Sequence, residues 1–552
     1  MRKNKHLLLW SSVAALTLLV AAAAEENLFR EWRRIQHAAR GPAGPIDVHL
    51  RQVVVPALRA ADRCVTCHVG MATGEPAVPG DRALRPHPDV GHDPAVFGCT
   101  VCHGGQGRAT DKADAHGDVH FWPDPMIPRR YADAGCGTCH THLQVPNLAA
   151  LRTGALALER HDCLACHRLD GRGGTLRPGT GMEGPDLSRV GGKGYRADWY
   201  EDHRRRRAAG EAGPWTESFA DIPEADREAL RVLLDTRVGA PGLVEGKALF
   251  HSLGCRGCHK VGGVGGDDGP DLTVAGQKDP GRLDFTHVSG ERRVSAWFAE
   301  HFRSPAALVP GSAMPVLGLT EPQIDHLTRY TLSLRRSDVP EALWPKDRIR
   351  AERFGEREFA ADGATLYGTF CAACHGPNGE GMRYPRMPAF PAIANPDFLA
   401  IAPDALIVET VRRGRPGRRM PAWGEKEGGL RPAEVAAVAE HVRRLGGGIR
   451  PEPDARPARW VRGDPEEGER LFTMNCALCH GPKGEGGEGP ALRNRVLLSA
   501  ATDTYLMETI KRGRRDTTMA SFAVPTTIRR ALDDHEIESI VVFLRIGESQ
   551  YD

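Results

Sequence analysis

No cysteine of this chain stands alone. All 14 fall into seven pairs, with two residues between the partners of each pair. A disulfide framework would not place every cysteine this way. Charge of one sign is missing as well. Lys and Arg number 73, Asp and Glu 71, and the formal net charge is +2, so nothing in the balance points to nucleic acid. The basic run Arg204 to Arg207 reads as a solvated helix face. Apolar residues make up 41%, a little low for a globular chain. That fraction is consistent with part of the core being supplied by something other than side chains. Methionine is scarce early on: between residues 45 and 150 only Met71 and Met126 occur. Long hydrophobic runs are missing except for one, Leu7 to Ala24.

What is present is a histidine directly after every pair. The pentapeptides are Cys64-x-x-Cys67-His68, Cys99-x-x-Cys102-His103, Cys136-x-x-Cys139-His140 and Cys163-x-x-Cys166-His167, then Cys255-x-x-Cys258-His259, Cys371-x-x-Cys374-His375 and Cys476-x-x-Cys479-His480. Two thiols three positions apart can add to the two vinyl groups of one porphyrin. The next residue then supplies the proximal imidazole to iron, which makes the pattern a signature for covalent attachment of c-type haem. Chance predicts about 0.015 copies of this signal at the chain's Cys and His content. Zinc would accept the pairs but has no need for the histidine. The chain thus resembles a multihaem c-type cytochrome, with seven covalently bound haem c groups implied. Their propionates would make the holoprotein acidic.

The length suggests several domains. Residues 1–24 begin basic and then turn apolar, as a membrane anchor or a signal segment does. The apolar run would span about 27 Å as a helix, close to a bilayer core. Charged helix-forming sequence follows at once, so an uncleaved anchor is expected, continued by a helical stalk over residues 25–50. Met1 then lies on the cytoplasmic side by the positive-inside rule. Cleavage after Ala24 would instead release a soluble periplasmic protein. Either way the rest is exported, as covalent haem attachment requires.

Residues 51–150 crowd three motifs together, and Gly, Pro and Asp are frequent between them. Little regular structure is signalled, and haems themselves must form the core. This spacing resembles the multihaem modules in which most irons carry two histidines. Non-motif histidines are dense here, so His87, His92, His116 and His120 are candidate distal ligands. Which of them serves which haem is open.

From residue 151 the chain repeats. A short helix with an opening glycine precedes the motif: Gly154, Gly246, Gly363 and Gly468. An amphipathic helix closes each unit, as in Ile324 to Leu332, Val435 to Val442 and Ile537 to Leu544. The opening glycine would let the first helix cross the last closely. These units resemble the class I cytochrome c fold, which implies domains at 151–240 (degenerate), 241–336, 337–450 and 451–552. In that fold a late methionine binds iron opposite the histidine, which implies Met314, Met420 and Met519. Gly-Pro-x-Gly-Glu-Gly after His375 and His480 matches the family's haem-edge loop, with Gly269-Pro270-Asp271-Leu272 expected to play a similar part. The stretches 337–359 and 446–465, rich in Pro and charge, read as linkers between beads that fold singly.

The unit at 151–240 departs. Gly184-Pro185-Asp186-Leu187 and a helix over Glu224 to Leu234 fit, but Gly213-Pro214-Trp215-Thr216 stands where Met-Pro belongs. Its iron is left to His161, His142, His203 or Met182, or stays open. A histidine from the neighbouring module is the expected ligand, giving a closed haem.

The expected fold is mainly α: an anchor helix, a loop-rich multihaem module, then tandem class I cytochrome c-like domains. The expected function is electron transfer on the periplasmic side of the bacterial inner membrane. Electrons would pass from a quinol-oxidising cytochrome b-type partner to a terminal acceptor, oxidase or small cytochrome. The alternative is a haem enzyme at the fourth motif, reducing nitrite or peroxide or oxidising a sulfur compound. No catalytic acid or base cluster is evident there, and no residue is assigned a catalytic role.

Overall fold

The computed structural model describes residues 2–140, 142–174, 184–195, 198–202, 222–335 and 338–546. It is mainly helical. The helices that matter below are α1 (Arg2–Leu28), α2 (Glu31–Ala38), α3 (Leu148–Arg160), α4 (Glu224–Asp235), α5 (Pro241–Ser252), α6 (Glu321–Ser333), α7 (Lys346–Phe354), α8 (Gly363–Phe370), α9 (Pro432–Leu445), α10 (Pro465–Asn475) and α11 (Asp534–Ile546). The β-structure described is four antiparallel two-stranded pairs of two or three residues per strand.

The chain divides into two units. The first comprises residues 1–141, 274–310 and 328–354. Helix α1 carries the apolar run, and its best 18-residue window has mean hydropathy 2.2 with none of it buried. By length and composition it is able to cross a bilayer. The expected helical stalk is shorter than residues 25–50. It ends with α2 at Ala38, and a two-residue hairpin, Arg40–Gly41 against Gly44–Pro45, follows. Gly41-Pro42 and Gly44-Pro45 are the reason, since neither dipeptide continues a helix well. Between residues 39 and 141 no described α-helix exceeds five residues. Motif histidines and cysteines sit there on 3₁₀ turns and single helical turns.

The second unit comprises residues 142–273, 311–327 and 355–552. Three of its four opening helices, α3, α8 and α10, start on side-chain caps, while α5 opens on Pro241 after Ala240. Asn147 accepts from Ala150 N, Asp362 from Thr365 N, and Asp464 from Glu466 N and Glu467 N. Each then crosses its closing helix at the expected glycine. A methyl added at Gly154 would lie 2.5 Å from Ala229 O on α4. At Gly363 it would lie 2.4 Å from Ala437 O on α9, and at Gly468 2.0 Å from Ser539 O on α11. Only hydrogen fits at these crossings.

One continuous apolar core runs from Phe359 to Leu544. Tyr367 and Phe472 sit at the two crossings, each with its ring centre 5.4 Å from that of a closing-helix residue, His441 and Phe543, and both are buried. Phe370 is buried beside them, and burial of each Phe contributes about 1.5–3 kcal/mol of transfer free energy. The stretches read as linkers are packed into the structure. Phe359 is buried against Phe370, their ring centres 5.3 Å apart. Trp460 N donates to Asp503 Oδ2 at 2.6 Å. Proline and charge in those stretches mark turns and buried ion pairs, not free chain.

Candidate haem attachment sites

The motifs are placed by short contacts that the sequence did not announce. In the first unit, Asp62 is wholly buried and bridges motifs one and two. It accepts from Cys99 N, from Thr100 N at 2.9 Å and from Thr100 Oγ1 at 2.8 Å. The thiols of Cys64 and Cys99 lie within hydrogen-bond reach. Motif two meets motif three at Gly135, where a methyl would overlap Cys102 O. Gly137, inside motif three, lies equally close to Ser333 O, 2.0 Å from the position of a methyl.

In the second unit, motifs five and six abut. A methyl at Gly254 would come within 2.5 Å of Ala373 N, and the Cys258 and Cys374 thiols are in hydrogen-bond reach. Burial pushes the thiols of Cys255, Cys371 and Cys476 up to about 12, so these sulfurs are uncharged. Among the described residues, no group of three or more His, Cys, Asp and Glu could hold a metal ion by itself. None of the fourteen cysteines is in a disulfide.

The imidazoles of the second unit are held alike. His167 Nδ1 donates to Pro185 O at 2.8 Å, His259 to Pro270 O at 2.8 Å, His375 to Pro391 O at 2.9 Å and His480 to Pro490 O at 2.8 Å. A carbonyl can only accept, so the proton sits on Nδ1 and the Nε2 lone pair is left for a metal. Burial holds His259, His375 and His480 below the usual imidazole range, which keeps them neutral as ligation requires. The glycine before three of these prolines lies flat on the ring. A methyl at Gly184 or Gly269 would come within 2.4 Å of it, and at Gly489 within 2.9 Å. The residues therefore fit a c-type haem: paired thiols, one oriented imidazole, and a backbone cradle behind it.

Residue type alone does not mark these prolines as ligand supports. The sequence likens Gly269-Pro270-Asp271-Leu272 to the Gly-Pro-x-Gly-Glu-Gly loop. Its counterpart is instead the later proline, Pro391 or Pro490. Gly-Pro-x-Gly-Glu-Gly is a separate turn, closed by Glu380 Oε2 accepting from Asn378 N and Glu485 Oε2 from Lys483 N, both at 2.8 Å. The signal available was a proline 10 to 18 residues after each of the last four motif histidines.

Met420 and Met519 occupy one and the same turn in two successive repeats. Arg415 N donates to Met420 O and Arg514 N to Met519 O, both at 2.8 Å. Met314 N is held by Ser312 Oγ at 3.2 Å. All three methionines are half-buried. The repeats around motifs six and seven face each other with approximate two-fold symmetry. Asn395 Nδ2 donates to Arg515 O at 2.9 Å, and its counterpart Asn494 Nδ2 donates to Pro416 O at 3.0 Å.

Among the candidate distal histidines, His87 comes against His103 and His92 against His140, while His116 is close enough to His68 to influence it electrostatically. His120 is exposed and rests on Phe121. Around the fourth motif, His161 Nε2 is 2.8 Å from Asp226 Oδ2, and Arg160 joins the same carboxylate at 2.7 Å. Met182, His203 and Gly213 to Thr216, like Arg204 to Arg207, lie outside the described residues.

Repeated thiol pairs, oriented imidazoles and helix crossings define a multihaem c-type cytochrome with cytochrome c domains. Residues 358–442 and 463–544 match the family model for cytochrome c oxidase, cbb3-type, subunit III, and residues 243–335 match that for cytochrome c. The CcoP subunit of cbb3-type cytochrome c oxidase from an Azospirillum species is 30% identical over 39% of this chain and 69% of its own length. The chain belongs to this family of cbb3-type oxidase cytochrome subunits. FixP of Bradyrhizobium diazoefficiens is 34% identical over 28% of this chain and 51% of its own length. The chain thus spans about half the length of the FixP relatives that it matches. Among solved structures, a reducing HAO-like protein complex from Kuenenia stuttgartiensis aligns at 17% identity with TM-score 0.23, covering 34% of this chain and 94% of that one.

Proposed function

We propose that the chain is a seven-haem electron conduit, anchored by α1 with the rest on the periplasmic side, that feeds a cbb3-type oxidase from a quinol-oxidising partner. One observation carries the conduit reading: five of the seven motifs abut a neighbouring motif. Motifs one, two and three touch in series through Asp62 and Gly135, and motif five touches six through Gly254. Electron transfer needs such proximity; substrate turnover does not.

Each haem, when bound, supplies a one-electron couple whose potential follows its axial ligands, and methionine raises it relative to a second histidine. The chain's part is to orient the imidazoles through the carbonyls of Pro185, Pro270, Pro391 and Pro490, to keep His259, His375 and His480 neutral by burial, and to exclude water with the Phe370 and Phe472 cores. Histidine-rich residues 51–150 would then sit at low potential, and the Met314, Met420 and Met519 units at high potential. That order supports flow from the membrane-proximal module towards the oxidase. The likeness of residues 358–544 to subunit III supports the oxidase as acceptor.

Two measurements test this. Mass spectrometry of the denatured holoprotein should show seven retained haems; five or fewer, with titrating thiols, refutes the count. Reduced holoprotein mixed with a purified cbb3-type oxidase should be reoxidised by oxygen only when the oxidase is present. No oxidase-dependent reoxidation would refute the acceptor.

A haem enzyme at the fourth motif is the second reading, and the Asp226 contact favours it. With His161 Nε2 engaged there, one of the two histidines expected to close that iron, His161 and His142, is already taken. Carbon monoxide added to the reduced protein decides. One equivalent bound at once supports an open iron at that motif, and no fast binding supports the pure conduit.

A further inference from the structure

The loop between motifs one and two carries His87 and His92, and it is anchored at both ends. At its start Leu84 is wholly buried, with Asp81 Oδ1 accepting from Ala83 N and Leu84 N at 2.7 and 2.9 Å. At its end Asp93 caps the short helix Pro94–Phe97, accepting from Ala95 N at 2.9 Å. The two histidines leave this loop towards different motifs. The ring centres of His87 and His103 are 6.1 Å apart, and those of His92 and His140 are 6.0 Å apart.

That separation has a meaning. An imidazole nitrogen sits about 2 Å from a bound first-row metal ion, and the ring centre lies about 1 Å behind the nitrogen. Two imidazoles sharing one iron therefore have centres about 6 Å apart. Direct stacking or a direct hydrogen bond would bring them closer. The tautomers agree where they can be read. His87 Nδ1 donates to Pro88 O at 2.7 Å, which leaves Nε2 for a metal. His140 Nδ1 is bound to Asp347 Oδ1 at 3.1 Å, at the start of α7, with the same consequence.

We infer that the distal ligands are supplied crosswise: His87, from the loop after motif one, to the iron held by His103 of motif two, and His92 to the iron held by His140 of motif three. This rests on the multihaem reading above. His116, on the short helix after motif two that Asp111 caps, is the candidate left over for His68 of motif one. His120 is no ligand. No haem of the module then takes its distal ligand from the stretch just after its own motif. The second and third haems are tied to one loop only nine residues past Leu84, so the three would fold as one body around it.

The test uses the full-length holoprotein from a host that matures c-type cytochromes, with haem count by mass spectrometry as the control on the multihaem reading. His87→Gly and His92→Gly should each leave seven haems and add one equivalent of carbon monoxide binding above the parent in the reduced state. His120→Gly should add none. Added imidazole should restore the six-coordinate spectrum of the first two, which a misfolded chain would not do. The tilt of the paired rings identifies the haem. The His87–His103 planes stand at 64° and the His92–His140 planes at 32°. Steeply tilted imidazoles give ferric haem a strongly anisotropic paramagnetic resonance signal, and near-parallel ones a rhombic signal. His87→Gly should lose the former and His92→Gly the latter. Seven haems with no gain in carbon monoxide binding, or the two signals lost in the opposite order, would overturn the assignment. If the glycine variants fail to accumulate, His87→Met and His92→Met should each add one His/Met near-infrared band. No added band in either would overturn it equally.

Discussion

Glu358 offers the sharpest perturbation of the second unit. Its carboxylate meets Arg256, which is wholly buried, and Lys247 Nζ at 2.9 Å, which is nearly so. Lys247 also donates to Leu143 O at 2.8 Å, and Arg256 Nη1 donates to Val261 O and Val264 O at 2.9 and 3.0 Å. One carboxylate thus compensates two cations that tie motif five to the chain before motif four and to the hairpin after His259. Burial alone would raise the Glu358 pKa. The charges of Arg256 and Lys247 outweigh it and hold the carboxyl well below its usual range. The folded pKa is depressed, so this stabilisation is complete above the unfolded value of about 4.3 and is lost as pH falls towards the folded value. Glu358→Ala leaves two buried cations uncompensated, a loss of about 3–5 kcal/mol. For a unit this large about 2 °C of melting temperature follows each kcal/mol, so a drop of about 6–10 °C at pH 7 is expected. Thermal unfolding of the holoprotein by far-ultraviolet circular dichroism reads it. Glu358→Leu combined with Lys247→Met and Arg256→Met should recover most of the loss, because apolar replacement removes the desolvation cost along with the attraction. A drop below 2 °C for the single variant, or no recovery in the triple, would refute the argument.

Met314→Ala, Met420→Ala and Met519→Ala should each remove about a third of the near-infrared His/Met band and lower one potential; absence of the band in the parent protein would rule the ligands out. The buried His251 donates Nδ1 to Val145 O at 3.1 Å, its Nε2 has no hydrogen-bond partner, and burial holds its pKa well below the usual range. The unfolded chain then takes up that proton first as pH drops below about 6.5, and stability falls by up to about 1.4 kcal/mol per pH unit; His251→Gln should flatten this slope in denaturant titrations at pH 5 to 7. The holoprotein should stay with membranes through a salt wash, and replacing residues 1–24 by a cleavable signal should release it, whereas a mature N-terminus at Glu25 would exclude the anchor.

Sequence alone determined the chemistry: seven thiol pairs each followed by histidine, the apolar run of α1, and the opening glycines of the repeats. Such features are local or periodic, and each states its own requirement, so α4, α6, α9 and α11 cover the amphipathic stretches that periodicity marked. Tertiary structure decided which separate stretches meet. Asp62 carries no local signal of its role, yet it is buried on the backbone of motif two. Glu358 lay in what read as a charged linker, and its burial depends on two cations about a hundred residues away. His161 is engaged by Asp226, 65 residues further on, a partner that no local pattern around the fourth motif marks. Pro185, Pro270, Pro391 and Pro490 act through a carbonyl, a group every residue carries, so their type says nothing of the role. His87 and His92 differ from His120 only in the loop that Leu84 and Asp93 pin down. Pairing across the chain is set by packing and excluded volume, and neither is written at any single position.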